Sequence, residues 1–155
     1  MVLWFTGQPG SGKTTLTNRF IEDKLIGFMK IQPVRIVHID GDDLRDVLDN
    51  KDYSEKGRRK NIQFAIDMTK VLDDKGFIVI VSLVSPYRDM REKLKSNRNI
   101  AEFYLHTTDI RGKEDYFVED YEPPLHNYVD ITTDKTIEEC LDEVLNVYRQ
   151  MATVA

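Results

Sequence analysis

The most constraining feature of this 155-residue chain is a phosphate-binding loop near its N-terminus. Residues 7–14 read Gly-Gln-Pro-Gly-Ser-Gly-Lys-Thr and fit the pattern G-x-x-x-x-G-K-[ST] completely. Glycines let such a loop curl with its N–H groups directed at phosphates, while the lysine reaches the β- and γ-phosphates and the next hydroxyl ligates Mg²⁺. We therefore expect the chain to bind a nucleoside triphosphate with Mg²⁺. The residues expected at the nucleotide are Gly7, Gly10, Ser11, Gly12, Lys13, Thr14 and Thr15, with Lys13 also catalytic and Thr14 the metal ligand.

The sequence on both sides of the loop supplies the context that this motif requires, a strand before it and a helix after it. Val2–Thr6 is a short apolar run that predicts a buried strand. Thr15–Lys24 predicts a helix, whose N-terminal end would direct the positive pole of its dipole at the phosphates.

Strands and helices are predicted to alternate along the rest of the chain. The predicted strands are Val34–Ile39, Phe77–Val81, Ala101–Leu105 and Asn127–Ile131, and the predicted helices are Asp43–Leu48, Glu55–Asp74, Asp89–Lys95 and Thr136–Met151. Together with the phosphate loop, this order predicts an α/β fold of the P-loop NTPase type, with a five-stranded, mostly parallel sheet and helices on both faces. Residues 106–125 lack periodicity and are rich in charge, tyrosine and proline, which is typical of a short lid over a site. We expect residues 1–155 to form a single domain, because this length supports one well-buried core.

The composition argues against several classes of function. With 22 basic and 27 acidic residues the chain has a net charge of −5, so we expect no nucleic-acid partner. Its longest apolar run, Phe77–Val84, is too short to cross a bilayer, and the N-terminus lacks the pattern of a secretory signal. We therefore expect a cytoplasmic protein without a membrane partner. Cys140, the only cysteine, is predicted to lie in the core on the last helix.

A carboxylate, Asp40, follows the second predicted strand directly. Open α/β sheets place their ligands at the C-terminal ends of their strands, so we expect Asp40 to face the phosphate loop. It is the catalytic candidate either for orienting the Mg²⁺ shell or for accepting the proton of an acceptor hydroxyl. Both roles stay open, because Asp42 is two residues away and close carboxylates titrate as a pair.

Beyond the phosphate loop, three blocks of sequence resemble the adenylylsulfate kinase family of P-loop kinases. Residues 40–45, Asp-Gly-Asp-Asp-Leu-Arg, resemble the family's D-G-D-x-x-R, and residues 53–62 are similar to F-S-x-x-x-R-x-x-N-I. Residues 82–88, Ser-Leu-Val-Ser-Pro-Tyr-Arg, are similar to S-x-I-S-P-[YF]-R. The resemblance extends from Leu3 to about Leu145. It implies transfer of the γ-phosphoryl group of ATP to the 3′-hydroxyl of adenosine 5′-phosphosulfate, a small nucleotide acceptor.

The resemblance also implies which residues bind the acceptor. They are Asp42 and Arg45, which would hold the nucleotide, Tyr53, which would stack on its adenine, Arg58 and Asn61, which would bind the phosphosulfate group, and Ser85 and Pro86, which would close the pocket. The acceptor is anionic, which suits the arginines, and Arg58 and Asn61 are three residues apart on one helix face.

The chain departs from the family pattern in its long helix and in its lid. Gln63 and Phe64 stand where the family usually has two arginines, and Gly57 stands where it usually has aspartate. The lid is shorter than the family's. Across that gap, Phe117 aligns as the second aromatic around the acceptor base, and Arg111 aligns as the lid cation at the ATP.

Two other interpretations stay open. One is a P-loop kinase of the same architecture that acts on another small nucleotide-like acceptor, which the altered helix and the short lid favour. The other is an NTP-binding protein that hydrolyses slowly without transfer, which the set of acceptor residues argues against. The sequence does not fix the oligomeric state, and a homodimer stays open.

Overall fold

The computed structural model describes residues 1–109, 112 and 116–154. Its strands are β1 Val2–Thr6, β2 Ile36–Asp40, β3 Ile78–Ser82, β4 Ile100–His106 and β5 Val129–Thr132. Its α-helices are α1 Lys13–Arg19, α2 Gly41–Leu48, α3 Glu55–Asp74, α4 Arg88–Asn97 and α5 Ile137–Val154. A π-helical segment, Phe20–Phe28, continues α1, and a short 3₁₀ turn, Pro33–Arg35, precedes β2.

Within the described residues, the five strands form one parallel sheet in the order β2-β3-β1-β4-β5. The central strand is β1, with β2 and β3 on one side of it and β4 and β5 on the other. The chain therefore leaves β1 at the point where strand order reverses, which is where open α/β sheets bind their ligands. The predicted α/β architecture is confirmed, and the sheet is parallel throughout the described strands.

Two apolar clusters cover the two faces of the sheet. Leu3 and Phe5 of β1 belong to the cluster with α1, the π-helical segment and α5, whereas Val2 and Trp4 belong to the cluster with α2, α3 and α4. This alternation follows from the two-residue period of a strand, and burial on both faces explains why residues 2–5 of β1 are all apolar. Cys140 packs in the first cluster, as predicted.

Several predicted bounds needed correction. The first helix does not end at Lys24, because the chain stays helical to Phe28 and Leu25 is fully buried against the first cluster. The second strand begins at Ile36 rather than at Val34, since Pro33 starts a 3₁₀ turn and lacks the N–H that a sheet would need. The bounds predicted for α3 are confirmed.

The helix after β2 begins two residues earlier than predicted. The side chain of Asp40 accepts a hydrogen bond from the backbone N–H of Asp42 and so caps α2, which begins at Gly41. Thr136 caps the start of α5, because its hydroxyl accepts from the backbone N–H of Glu139. Among the described residues, no helix combines the length and the apolar character that a membrane span requires.

Candidate active site

A cavity of about 610 Å³ lies at the C-terminal ends of β1, β2 and β3. It is lined by the phosphate loop, by the start of α2, by residues 53–62, by the loop after β3 and by residues 116–118. The predicted site residues that line it are Gly10, Lys13, Thr14, Asp40, Asp42, Arg45, Tyr53, Arg58, Asn61, Ser85, Pro86 and Phe117. Both halves of the predicted site therefore face one space, the donor loop on one wall and the acceptor motifs on the other.

Other predicted nucleotide residues lie in the phosphate loop or the start of α1 but do not line this cavity. They are Gly7, Ser11, Gly12 and Thr15. Gly7 is required by close approach, because a Cβ atom there would lie 2.4 Å from the carbonyl oxygen of Leu105. Gly12 has φ 97° at the N-cap of α1, a left-handed conformation that glycine adopts without strain. Arg111 lies outside the described residues, so its predicted role at the ATP stays a prediction.

Lys13 is folded back onto its own loop. Its Nζ donates to the carbonyl oxygens of Gly7 and Gln8, both at 2.9 Å, and the side chain is buried. Burial lowers the pKa of Lys13 to about 8, although the negative charges of Asp40 and Asp42 act in the opposite direction. The loop thus holds the Lys13 ammonium among carbonyl oxygens that solvate it less well than water does. A bound phosphate would be a better partner for this cation.

Nucleotide binding is expected to add a proton to Lys13 above pH 8. Without ligand, the protonated fraction falls from roughly nine-tenths at pH 7 to roughly one-tenth at pH 9, because the pKa is near 8. Phosphates beside Nζ raise that pKa, so ADP should bind at about pH 8.5 with uptake of most of one proton. Calorimetry in two buffers of different ionisation enthalpy measures this uptake. It should vanish in Lys13→Met, and an unchanged uptake in that variant would assign the proton to another group.

Asp40 joins the phosphate loop to β3 through hydrogen bonds. Its Oδ1 accepts from Thr14 Oγ1 at 2.9 Å and from Ser82 Oγ at 2.7 Å, and its Oδ2 accepts from the backbone N–H of Asp42 at 3.2 Å. The Thr14 hydroxyl and the Asp40 carboxylate are hard oxygen donors of the kind that Mg²⁺ prefers, and they are already adjacent. Among the described residues, these two best suit a Mg²⁺ ion at the phosphates.

His38 is connected to this group, which the sequence did not indicate. Its Nε2 lies 2.8 Å from Ser82 Oγ. The Ser82 hydroxyl donates its one hydrogen bond to Asp40. Its contact with His38 must therefore be a hydrogen bond donated by the N–H at Nε2 of His38. Burial lowers the pKa of His38, and the nearby charges of Asp40 and Asp43 only partly oppose this. The His38 side chain is only half-buried, and through Ser82 it supports the carboxylate of Asp40.

The side of the cavity formed by the predicted acceptor residues, here called the acceptor wall, contains polar groups that have no protein partner among the described residues. The side-chain oxygen of Asn61 is buried and has no hydrogen-bond partner among the described residues. Arg58, three residues earlier on α3, makes no side-chain hydrogen bond or ion pair within the described part of the chain, and it lines the same cavity. Buried polar groups in folded proteins are normally paired, so the Asn61 oxygen, beside the half-buried and unpaired Arg58 guanidinium, has the character of a ligand site.

Arg45 and Tyr53 contact one another at the outer end of the cavity. The Arg45 guanidinium lies 4.1 Å from the centre of the Tyr53 ring, and its Nη1 donates to the carbonyl oxygens of Asn50 and Asp52 at 3.0 and 3.1 Å. Some of the hydrogen-bond donors of Arg45 are therefore already used by main-chain oxygens, while the Tyr53 side chain is 63% exposed. One face of that ring remains for a ligand.

The loop after β3 is held in a strained conformation. Ser85 has φ 38°, which is uncommon for a residue with a side chain. Its hydroxyl accepts from Trp4 Nε1 at 3.0 Å, and its carbonyl oxygen accepts from Arg91 Nη1 at 2.6 Å. Ser85 thus shapes the wall that Pro86 completes, with its hydroxyl directed to the protein.

Arg91 is a site-supporting residue that the sequence analysis missed. It is buried, pairs with Glu102 of β4 at 2.8 Å, and also donates to the carbonyl oxygen of Glu122 in the chain that returns from the lid. It therefore ties the acceptor loop to the base of the lid. The available signal was Glu102, a lone carboxylate in an otherwise apolar strand, which needs a cation partner when buried.

Gln63 and Phe64 do not face the cavity. Gln63 hydrogen-bonds to Asp67 on the exposed side of α3, and Phe64 is 40% exposed there. Neither lines the cavity, whereas Asn61 and Ile62 do. Their departure from the family pattern therefore gives no support to a changed acceptor, contrary to what the sequence suggested.

The chain is similar in sequence to adenylylsulfate kinases. Residues 1–112 match the family described as adenylylsulphate kinase. The chain is 42% identical over 105 residues to the adenylyl-sulfate kinase of Geotalea daltonii, covering 66% of this chain and 49% of that protein. It is 30% identical over 175 residues to the adenylyl-sulfate kinase of Chloroflexus aurantiacus, covering 99% of this chain and 91% of that protein. In the Geotalea match and several others, the chain spans about half the length of the curated relative.

The fold is shared with solved kinase structures. The Mycobacterium tuberculosis APS kinase CysC in complex with AMPPNP and APS has a TM-score of 0.77 at 22% identity, over 96% of each chain. A gluconokinase from Sinorhizobium meliloti has a TM-score of 0.67 at 17% identity, over 98% of this chain and 93% of that one. At these identities the likeness shows the fold, and it confirms the predicted P-loop kinase architecture.

Proposed function

The chain belongs to the adenylylsulphate kinase family, and from this premise we propose that it transfers the γ-phosphoryl group of ATP to the 3′-hydroxyl of adenosine 5′-phosphosulfate. The observation that carries this proposal is the side-chain oxygen of Asn61, buried without a protein partner in the cavity that also contains the phosphate loop. An unpaired buried polar group costs on the order of 1–3 kcal/mol, and a nucleotide hydroxyl or amino group that donates to the Asn61 oxygen would remove that cost.

On the donor side, we assign Lys13 and the backbone N–H groups of the loop to the β- and γ-phosphates. Phosphoryl transfer requires positioning and charge neutralisation rather than covalent help from the protein, and a buried cation supplies both. Thr14 and Asp40 would hold Mg²⁺. Bound there, the ion would neutralise charge on the β- and γ-phosphates.

Asp40 is better suited to orientation than to proton transfer. Both of its oxygens already accept hydrogen bonds from the protein, two on Oδ1 and one on Oδ2. These bonds fix the carboxylate plane toward Thr14. We therefore assign Asp40 to positioning the Mg²⁺ shell and Asp42, which also lines the cavity, to holding the acceptor.

On the acceptor side, Arg58 and the amide N–H₂ group of Asn61 would donate hydrogen bonds to the phosphosulfate group, and the Asn61 side-chain oxygen would accept from a hydroxyl or amino group of the nucleotide. A guanidinium without a protein partner is free to make charge-assisted hydrogen bonds to an anionic ligand. Tyr53 and Phe117, which line the cavity and are 63% and 38% exposed, would enclose the acceptor base. Aromatic faces stack on any base, so these two residues supply affinity while the polar pair supplies the selection.

A second candidate is phosphorylation of a less charged acceptor. It is favoured by the state of Arg45, whose guanidinium is engaged with main-chain oxygens and Tyr53. Among the described acceptor residues, Arg58 would then be the main cation for the substrate. The sequence departures on α3 do not strengthen this candidate, because they lie outside the cavity.

A thermal-shift screen tests the proposed acceptor. A ligand at a hundredfold excess over its dissociation constant stabilises the folded state by about 2.7 kcal/mol, which is several degrees for a chain of this size. With ADP and Mg²⁺ present, adenosine 5′-phosphosulfate should raise the unfolding midpoint more than AMP or a pyrimidine analogue does. Arg58→Ala should remove most of that difference. Equal shifts for all three nucleotides would contradict the proposal.

A further inference from the structure

The side chain of Gln8 links the phosphate loop to the lid. Its Nε2 donates to the carbonyl oxygen of Val118, and its Oε1 accepts from the backbone N–H of Val118, both at 2.9 Å. One amide thus satisfies both backbone groups of one residue, as a neighbouring strand would. The contact is partly buried, and the Val118 side chain is buried as well.

Val118 lies next to a residue of the cavity wall. Its neighbour Phe117 lines the acceptor cavity, so whatever fixes Val118 also limits where the Phe117 ring can lie. Further along, the Tyr121 hydroxyl bonds to Thr6 at 2.7 Å, and the backbone N–H of Glu122 donates to Pro86 at 2.9 Å. Those contacts hold the lid base to the end of β1 and to the loop after β3, whereas Gln8 connects the residue next to Phe117 directly to the phosphate loop.

The backbone of Gln8 is also part of the donor site. Its carbonyl oxygen accepts from Lys13 Nζ at 2.9 Å and from the backbone N–H of Ser11 at 3.1 Å. Bound phosphates compete with that carbonyl oxygen for the Lys13 ammonium and order the loop around themselves. Gln8 is therefore in contact with both parts of the site. Its backbone carbonyl oxygen would lose the Lys13 ammonium to a bound phosphate, and its side chain holds Val118.

We propose that Gln8 is a positioning residue that couples the two substrate sites, so that donor binding orders Phe117 and tightens acceptor binding. This coupling rests on the proposed function for the identity of its acceptor. Once nucleotide has ordered the loop, Phe117 has less conformational freedom left to lose. Binding of an acceptor that stacks on this ring then costs less conformational entropy. The effect must be reciprocal, so acceptor binding tightens donor binding by the same factor.

Three variants separate coupling from folding. Gln8→Leu keeps the approximate size of the side chain and loses both hydrogen bonds. Gln8→Glu retains an acceptor for the Val118 N–H but places a carboxylate oxygen against the Val118 carbonyl oxygen. Gln63→Leu is the matched control, because it removes an exposed amide whose hydrogen bond, to Asp67, lies outside the cavity.

The first measurement is the affinity of adenosine 5′-phosphosulfate by calorimetry, with and without ADP and Mg²⁺. Couplings between sites are typically about 5–150-fold, so wild type and Gln63→Leu should bind the acceptor at least about fivefold more tightly with nucleotide. In Gln8→Leu and Gln8→Glu the ratio should fall to within about twofold of unity. A wild-type ratio in either Gln8 variant, or a wild-type ratio near unity, would overturn the proposal.

The second measurement does not depend on the acceptor. Hydrogen exchange of the Val118 amide, followed by NMR, reports the bond to Gln8 Oε1 directly. ADP with Mg²⁺ should slow this exchange in wild type and in Gln63→Leu but not in Gln8→Leu. If the acceptor fails to bind wild type while this pattern holds, the proposed function fails and the link between loop and lid stands. Exchange that is insensitive to ADP in wild type would overturn the link itself.

Discussion

Replacing Lys13 by alanine is expected to lower the rate of phosphoryl transfer by about 10²–10³-fold, because one preorganised contact to the developing charge is typically worth that much. Lys13 is the buried cation of the phosphate loop, and among the described residues its ammonium hydrogen-bonds to oxygens of that loop alone. Transfer is measured as turnover at saturating ATP and acceptor, so that weaker binding does not contribute to the loss.

The fold should survive this change. Lys13 contributes a poorly solvated charge rather than an apolar contact, and its side chain bonds to residues of the phosphate loop rather than to the backbone of α1. Lys24→Ala is the matched control, because Lys24 pairs with Asp142 on the exposed surface away from the cavity. Circular dichroism and the unfolding midpoint report the fold. Retention of more than about a tenth of wild-type turnover would contradict the assigned role of Lys13.

The second large effect is expected on the acceptor alone. Hydrogen bonds to charged groups contribute about 1.5–3 kcal/mol, so Arg58→Ala should lower kcat/KM for adenosine 5′-phosphosulfate by roughly 10–150-fold. Asn61→Ala removes a neutral hydrogen bond and should cost roughly 2–10-fold. The KM for ATP should change little in either variant, since both side chains lie on the acceptor wall.

Arg59→Ala is the matched control for Arg58→Ala. Arg59 is the next residue on α3, but its guanidinium pairs with Glu55 and Asp89 on the surface and does not line the cavity. It should change kcat/KM for neither substrate by more than about twofold, because exposed ion pairs contribute little. Equal losses for ATP and acceptor in Arg58→Ala would move Arg58 out of the acceptor site.

Much of the fold followed from local rules. The phosphate loop predicted the strand before it and the helix after it, and the apolar runs at Val2–Thr6 and Phe77–Val81 read as buried strands because both faces of a parallel sheet are covered. The bounds of α3 were predictable from helical spacing and from Ser54, whose hydroxyl accepts from the backbone N–H of Gly57.

The errors arose where tertiary contacts decide local structure. Nothing local indicates that Phe20–Phe28 continues as a π-helical segment, because its helicity is stabilised by burial of Phe20 and Leu25 beside α5. In such a segment each backbone hydrogen bond reaches one residue further along the chain than in an α-helix, and whether this happens depends on which side chains reach the core. Sequence spacing does not report this.

The same limit applies to the site. The residues predicted to bind the acceptor were identified as a set from motifs with fixed spacing, and the structure places them around one cavity. Gln8, His38 and Arg91 were not, since each acts through a partner more than 10 residues away in the chain: Val118, Ser82 and Glu102. Conversely, Gln63 and Phe64 depart from the family motif and favoured a different acceptor on sequence grounds, although they lie on the outer side of α3.

The identity of the phosphorylated product tests the central claim most directly. The protein is incubated with ATP, Mg²⁺ and either adenosine 5′-phosphosulfate, AMP or a pyrimidine analogue, and the nucleotides are separated by anion exchange, with the position of the new phosphate assigned by NMR. We predict a 3′-phosphorylated product from adenosine 5′-phosphosulfate and none from the other two. A product from one of the other nucleotides alone, or hydrolysis of ATP without any transfer, would contradict the assignment.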